Sequence, residues 1–433
     1  MNSNKDKHSM WQFPWAFKES IAVVLGLFIV GVLLQYLLGN FNFYLLHYPI
    51  NLIVGAVMIG LIILLSFVKQ NPIVSWLIGV PLSVTLIGAL LLLTIGMGLI
   101  PQFARVNADI HFHFDQASFD QIIDYLLMRF GLKQITSSWP FVLIYNFTLF
   151  VLGLVIAKRF HKFKWRDYGF YLNHLGLWLF LFAAGYGAAD LLRYVMYVNE
   201  GEVEWRVYND KEEVLELDIA IKLHDFVMEE YPPKLAVIDK NTGDVMPADR
   251  PYYFQIEDDV KSTQIGDWQL DIKEYIHEAV RKSDTSFQAI PMSGSMPAVD
   301  LKVTNLKTNN VSEGWVTIGS IAQHMLTLDL DSTYAVVMTK PEAKRFASEV
   351  TVLTEADNSE PIHAVLEVNK PLKVGDWVIY QYDYDHAMGK ASQRSGFELV
   401  YDPWLKVVYI GIILLALGAV SMLWVGNKKK KRV

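Results

Sequence analysis

The sequence predicts a polytopic α-helical membrane protein with six spans and a mainly β extracytoplasmic domain inserted between spans five and six. The chain has 433 residues, of which 52% are hydrophobic, and its mean hydropathy is +0.25. Such a composition is too apolar for an ordinary soluble protein. No Asp, Glu, Lys or Arg occurs between Glu19 and Lys69, or between Lys69 and Arg105. After residue 195, in contrast, charges return and apolar residues alternate with polar ones.

The six apolar stretches are each long enough to cross a membrane, because about 20 apolar residues span the hydrocarbon core as a helix. They are residues 21–38, 50–68, 74–100, 139–157, 172–194 and 407–425. We interpret the first stretch as a retained span and not as a signal peptide, since no small-residue cleavage site follows it. We therefore divide the chain into four predicted regions. They are two additional N-terminal spans (1–71), three further spans (72–195), the β-rich domain (196–402), and a final span with a basic tail (403–433).

Basic residues indicate the orientation of the spans. The loop 158–166, KRFHKFKWR, and the tail GNKKKKR both carry clustered Lys and Arg, so the positive-inside rule places both in the cytoplasm. The acidic segment between the third and fourth spans then lies outside, as does the β-rich domain.

Residues 196–402 show the two-residue period of half-buried strands. Apolar side chains alternate with polar ones from Leu215 to Leu223, and KNTGD at 240–244 is typical of a turn. GDWVIYQYDYD at 375–385 is rich in the aromatic and β-branched residues that strands favour. A short helix is predicted around residues 341–348.

Composition excludes several classes of function. The chain contains no cysteine, which excludes disulfides, cysteine-bound zinc, iron-sulfur clusters and covalent haem attachment through its own C-x-x-C-H motif. The net charge of -7 gives no support for nucleic-acid binding.

His174 is the most informative residue, because it is the only histidine inside a predicted span. Ionisable residues within spans are costly and mark function. A neutral imidazole is the commonest axial donor to haem iron, and Trp178 follows one helical turn later on the same face. The alternative is a neutral histidine that is hydrogen-bonded to another helix.

Other histidines are weaker candidates. His111 and His113 would share one face of a strand and so could chelate a metal, although no third ligand is evident. His386 follows the aromatic strand that leads back to the last span, which makes it a further candidate. The other histidines of the β-rich domain are expected to be solvated or satisfied in the core.

Four stretches, in order, resemble the ResB family, also called CcsB. LIGALLLLTIGMGLIPQ at 86–102 is similar to a span that ends in a proline-glutamine pair, and SSWPFVLIYNFTLFVLGLVIAKR at 137–159 is similar to a tryptophan-led span. LNHLGLWLFLFAAGYG at 172–187 resembles the span that opens on a histidine. LEVNKPLKVGDWVIYQYDYD from 366, followed by LVYDPWLKVVYIGIILLALG from 399, is the longest similarity. The first two spans lie outside the resemblance.

The resemblance implies a subunit of the System II cytochrome c biogenesis complex in a bacterial inner membrane. Such a subunit acts with a CcsA-type partner to carry haem outward and deliver it to apocytochrome c. It is part of a cytochrome c synthase and is not expected to be catalytic alone. His174 matches the axial ligand of a haem b that is bound non-covalently and shared with the partner, and Trp178 is expected beside it. Thiol-reducing maturation proteins are further expected partners, and nucleic acid is not.

The resemblance is closest around the strand and corner that re-enter the last span. Asn369, Pro371, Gln381, Asp402 and Pro403 lie there. Gln381 and Asp402 are therefore expected to act in docking or in placing the domain.

Two alternatives from other classes remain open. One is a membrane-anchored extracytoplasmic sensor or ligand-binding protein without haem, in which His174 only packs. The other is a self-sufficient transporter, as six spans would allow. Pro81 is nearly the only broken-helix feature in these spans, however, whereas transporter sites use several.

Overall fold

A computed structural model describes residues 10–429 of the protein, except 103–117, 257–259, 284–285, 291, 293–294, 321–322 and 356–359. The chain divides into two units. The helical unit comprises Met1–Leu192 and Asp402–Val433, and the β unit comprises Arg193–Tyr401. The predicted histidine pair His111 and His113 lies outside the described residues.

The helical unit contains most of the apolar sequence. Its described helices are α1 (Phe17–Leu38), α2 (Ile50–Phe67), α3 (Pro72–Leu77), α4 (Val80–Leu99), α5 (Phe119–Arg129), α6 (Trp139–Phe160), α7 (Tyr168–Gly187) and α8 (Leu405–Lys429). Within the described residues, five helices are long and apolar enough to cross a membrane, namely α1, α2, α4, α6 and the Leu405–Leu423 part of α8. α7 has 20 residues but is less apolar, because it carries Asn173, His174 and several tyrosines. The fifth predicted span, 172–194, and with it the total of six spans, therefore stays a prediction.

Two predicted spans have different bounds in the structure. The predicted stretch 74–100 is divided between α3 and α4, and Gly79 is the N-cap of α4. Pro81 lies in the first turn of α4, where its missing N–H has no helical acceptor to lose. The predicted stretch 172–194 is also wrong at its end, since α7 stops at Gly187 and Tyr194 belongs to the first strand of the β unit.

The two additional N-terminal helices pack directly against the other helices. Gly31 of α1 lies against the backbone of Pro140 at the start of α6. Gly55 of α2 lies against the Phe182 ring of α7. These small residues allow close approach between helices. α1 and α2 are therefore integral parts of the bundle.

The tightest helix pair is α7 with α8. Gly169 and Gly176 on α7 meet α8, while Gly411 and Gly418 on α8 meet α7. A Cβ atom added at Gly411 would lie 2.6 Å from the backbone nitrogen of Phe180, closer than van der Waals contact permits. Glycine is thus required on both sides of this crossing.

We expect Gly176→Val to force α7 and α8 apart. The new side chain would overlap the backbone of α8 around Leu415, and overpacking of this kind costs about 1–3 kcal/mol or more. Thermal unfolding of the detergent-purified protein should show a lower midpoint. Gly88→Val in α4 is the matched control, because no atom lies within 4 Å of a Cβ at that position. An equal midpoint for the two variants would contradict the role of this crossing.

The β unit consists of antiparallel strands. They are β1 (Leu192–Asn199), β2 (Val203–Tyr208), β3 (Val214–Glu230), β4 (Lys234–Asp239), β5 (Phe254–Gln255), β6 (Ser262–Ile265), β7 (Trp268–Ser283), β8 (Ser286–Ala289), β9 (Met296–Asn305), β10 (Val311–Thr317), β11 (Leu328–Asp329), β12 (Tyr334–Met338), β13 (Ala343–Thr354), β14 (Ile362–Glu367), β15 (Leu372–Val374), β16 (Trp377–Tyr384) and β17 (Arg394–Tyr401). The described strands form an eight-stranded sheet, β14-β13-β3-β2-β1-β17-β16-β15, a five-stranded sheet, β10-β9-β7-β6 with β8 on β7, and a four-stranded sheet, β11-β12-β4-β5.

Two hydrophobic cores stabilise these sheets. One core lies on the eight-stranded sheet and includes Ile221, Leu223 and Phe397, all fully buried or nearly so. The other joins the five- and four-stranded sheets, with Leu270, Leu301 and Val336 among its members. The β unit therefore has its own apolar interior.

The predicted strands are confirmed and one predicted helix is wrong. The alternating stretch 215–223 lies within β3, and the aromatic stretch lies in β16. Residues 341–348 were expected to be helical, but they enter β13, which pairs with β3 on one side and β14 on the other. Hydrogen bonding to two neighbours overrides the helical preference of a short Ala- and Lys-containing segment.

Candidate functional site

His174 lies in the first half of α7, and its two ring nitrogens have different surroundings. Nδ1 is 3.0 Å from the carbonyl oxygen of Phe170, one turn earlier. Because a carbonyl oxygen only accepts, Nδ1 carries the proton, and Nε2 of the neutral ring then has a free lone pair. Nε2 makes no hydrogen bond with any described residue. The imidazole thus presents one nitrogen that can bind a metal ion.

Three flat groups are stacked between α7 and the end of α6. The His174 and Phe170 rings are stacked with centroids 3.8 Å apart. The guanidinium carbon of Arg159 lies 3.9 Å from the Phe170 centroid, and Arg159 Nη2 is 3.3 Å from Asp167 Oδ2. A permanent positive charge is therefore held one aromatic ring away from His174. The i, i+4 spacing of Phe170 and His174 is a sequence signal for this pair, but the contribution of Arg159 depends on the packing of α6 against α7.

A second histidine at the same end of α6 is differently engaged. His161 Nε2 is 2.9 Å from the Ser66 hydroxyl of α2, and the ring contacts Phe67 at 4.6 Å between centroids. Lys158 Nζ donates to the carbonyl oxygen of Val68 at 2.5 Å. His161 and Lys158 thus hold α6 against the end of α2.

Trp178 follows His174 by one turn, but its side chain lies in the interior of the helix bundle. Its exposure is 8%, and its Nε1–H donates to the carbonyl oxygen of Leu149 at 3.0 Å. Its ring is stacked on Phe182 at 4.8 Å and lies against Gly153. These contacts fix the indole between α6 and α7. Its predicted role beside a cofactor stays a prediction.

A buried carboxylate joins three helix ends, and no local sequence pattern predicts its partners. Asp190, just beyond α7, has a side chain that is only 8% exposed. It accepts hydrogen bonds from the Tyr48 backbone N–H (2.8 Å), Asn51 Nδ2 (2.6 Å) and Trp404 Nε1 (2.7 Å). His47 Nε2 lies 4.0 Å from it. We call Asp190, Tyr48, Asn51 and Trp404 the carboxylate clamp, because together they hold the ends of α2, α7 and α8.

Gln381 belongs to a buried polar network in the eight-stranded sheet. Its Oε1 accepts from the Ser348 hydroxyl at 2.7 Å, and its Nε2 donates to Ser395 Oγ at 2.8 Å. Ser348 and Ser395 are fully buried and lie 2.8 Å apart. Gln381 therefore joins β13, β16 and β17 from within. This position is consistent with the predicted role in placing the domain, which stays a prediction.

Asp402 and Asn369 form turns. Asp402 Oδ1 accepts from the Trp404 backbone N–H at 3.0 Å, which shapes the turn before α8. Pro403 lies within this turn and restricts its backbone. Asn369 has a φ of +66°, in the left-handed region that Asn tolerates better than most residues. The asparagine-x-proline-leucine pattern is thus explained by the turn between β14 and β15.

An ion-pair network flanks this turn. The Arg345 guanidinium hydrogen-bonds Glu229 at 2.8 Å and Glu367 at 2.7 Å. These bonds hold the pKa of both carboxyls below its usual value. Lys370 also pairs with Glu367. The network links β3, β13 and β14 at the surface.

His386 is exposed, and its imidazole pairs with one carboxylate. Its side chain is 72% exposed, its Nε2 lies 2.9 Å from Asp383 Oδ1, and its ring contacts Tyr384 at 4.3 Å. Among the described residues, no three His, Cys, Asp or Glu side chains are grouped as a metal site would require. The structure therefore adds no support for His386 as a ligand.

The fold and these sites define a class: a multi-span helical membrane protein with an inserted β-rich domain and a ligand-ready histidine in a helix. Residues 300–393 match the model of the ResB-like family, so the resemblance predicted from the sequence is confirmed. The matched segment contains Gln381 and His386, but not His174, Trp178 or Asp402. No curated protein matches the chain.

Proposed function

We propose that this chain is the ResB-type subunit of a System II cytochrome c biogenesis complex and that His174 binds haem on its way across the membrane. The family match supports a general role in cytochrome c biogenesis. One observation carries the proposal for haem. The Nδ1–H of His174 is bonded to the Phe170 carbonyl, which fixes the tautomer and leaves Nε2 free. Metal-binding histidines almost always donate their other ring N–H to an acceptor of this kind.

The residues around His174 fit haem as cargo. Nε2 would donate its lone pair to the iron as an axial ligand. The Phe170 ring holds the imidazole plane on one side. Arg159 is suited to pair with a propionate, since a guanidinium recognises carboxylates with two parallel N–H donors. Asp167 would compete with a propionate for Arg159. The ion pair between Arg159 and Asp167 is partly exposed and therefore weak.

The proposed partners supply the chemical groups that this chain does not provide. It has no cysteine, so the thiols of the thioether bond come from apocytochrome c. His161, the other histidine at this helix end, is engaged by Ser66. We therefore assign the remaining axial ligand and the attachment chemistry to a CcsA-type partner, with thiol-reducing proteins as auxiliary partners. On this proposal the chain orients and passes on haem b in the inner membrane, with the β unit outside.

The test is the haem content of the purified complex. His174→Ala, co-expressed with the partner, should lose most of the haem absorbance while both proteins are still recovered. His161→Ala is the matched control, because it removes an imidazole from the nearby end of α6 and leaves the free Nε2 of His174 in place. Wild-type absorbance in His174→Ala would overturn the proposal, and so would equal loss in both variants.

A further inference from the structure

The basic residues between α6 and α7 fall into two groups. Lys158 and Arg159 make contacts within the helical unit, as described above. Lys162, Lys164 and Arg166 are exposed, and their side chains form no hydrogen bond or ion pair with any described residue. Three cations therefore remain available next to two apolar helices.

Aromatic residues alternate with these cations in the segment 162–166, KFKWR. Lys164 has an extended backbone (φ −131°, ψ 128°), so its neighbours Phe163 and Trp165 project to one side. Their ring centroids are 5.5 Å apart, and Phe163 lies 5.1 Å from the Tyr171 ring of α7. The segment is therefore amphipathic in composition, with the Phe163 ring against α7 and three exposed cations beside the rings.

Trp165 is 82% exposed, an unusual exposure for the largest apolar side chain. α6 has 22 residues, which gives a length of about 33 Å at 1.5 Å per residue. A helix of this length matches the hydrocarbon core of about 30 Å, so its end lies at headgroup depth. Tryptophan favours this depth, and lysine and arginine there meet lipid phosphates.

We propose that the segment 162–166 binds anionic phospholipid headgroups in the leaflet where the α6–α7 connection lies. Trp165 and Phe163 enter the interface while Lys162, Lys164 and Arg166 contact the phosphates. The stacked position of Arg159 keeps it out of this set and reserves it for the His174 site. The lipid surface is independent of haem binding and goes beyond the proposed function.

The experiment measures how much phosphatidylglycerol the intact protein retains. Wild type and a Lys162→Gln, Lys164→Gln, Arg166→Gln variant are reconstituted into phosphatidylcholine vesicles with or without phosphatidylglycerol, extracted in mild detergent and analysed by native mass spectrometry. We expect retained phosphatidylglycerol to fall at least about fivefold in the variant, because each interfacial cation contributes to anionic lipid binding. Phosphatidylcholine retention should stay constant.

Two further variants keep the result specific. Lys18→Gln with Lys69→Gln removes exposed lysines at the same ends of the neighbouring helices and should leave retention near that of wild type. Lys162→Arg with Lys164→Arg keeps the charge and should also retain the lipid. Unchanged retention in the triple variant would overturn the proposal, as would equal loss in the Lys18 and Lys69 variant. Haem content, measured in parallel, separates this outcome from a failure at His174.

Discussion

Replacement of His174 by Gly is expected to abolish cytochrome c maturation in cells that express the partner subunit. The substitution removes the imidazole whose Nε2 is free and leaves a space beside Phe170. A vacated ligand position can be refilled by a small donor, so imidazole in the growth medium should restore part of the maturation. The measurement is the amount of covalently bound haem in the mature cytochrome, on a gel that detects haem.

Rescue separates ligation from packing. A purely structural histidine, hydrogen-bonded to Phe170 and stacked on its ring, would not be replaced by free imidazole in a way that restores maturation. Phe170→Leu is an informative companion, since it removes the stacking ring but keeps the backbone carbonyl that orients Nδ1. It should lower maturation without creating any response to imidazole. If His174→Gly matures cytochrome c normally, the site is not used.

Replacement of Asp190 by Ala is expected to destabilise the helical unit by about 2–5 kcal/mol, because neutral N–H donors at three helix ends lose their charged acceptor. Three N–H donors, from Tyr48, Asn51 and Trp404, would lose their acceptor. Each buried donor left unsatisfied costs about 1–3 kcal/mol, although Asn51 keeps a bond to the Tyr186 carbonyl at 3.1 Å. The midpoint of thermal unfolding in detergent should fall accordingly.

Two variants calibrate this loss. Asp190→Asn keeps the shape and one acceptor oxygen, so it should cost less than Asp190→Ala. Asp267→Ala removes an exposed carboxylate that pairs with Lys307 and should cost under about 1 kcal/mol. If Asp190→Ala is no more harmful than Asp267→Ala, the carboxylate clamp does not hold the helix ends together.

Local sequence patterns predicted the features that depend on local physics. The strands at 215–223 and 377–384 follow from alternation, and most helices follow from unbroken apolar runs. The sequence also indicated His174, because one imidazole among apolar residues is conspicuous. It did not predict the break at Gly79, although a glycine followed by Pro81 is a recognisable helix start.

Contacts between residues that are far apart in the chain could not be predicted from the sequence. Asp190 lies near the end of the predicted stretch 172–194, but its donors come from residues 48, 51 and 404. Gln381 was singled out by resemblance alone, and its buried serine partners lie on two other strands. The division of the basic loop into cations that make contacts in the helical unit and cations that are exposed likewise depends on how α6, α2 and α7 pack. Pairings of this kind arise from tertiary geometry and leave no periodic pattern.

The glycine crossing between α7 and α8 has a consequence for biosynthesis. About 200 residues separate the end of α7 from the start of α8, and all of the β unit lies between them. At ~5–20 residues per second, a ribosome needs roughly 10–40 s to make that stretch. During this interval the glycine face of α7 has no α8 to cover it, and Asp190 has no Trp404. The helical unit can therefore be completed only after the β unit has been made, when α8 packs against the glycine face of α7. Until then we expect that face and Asp190 to be open to wrong contacts, so the incomplete chain should be most sensitive to misassembly late in translation.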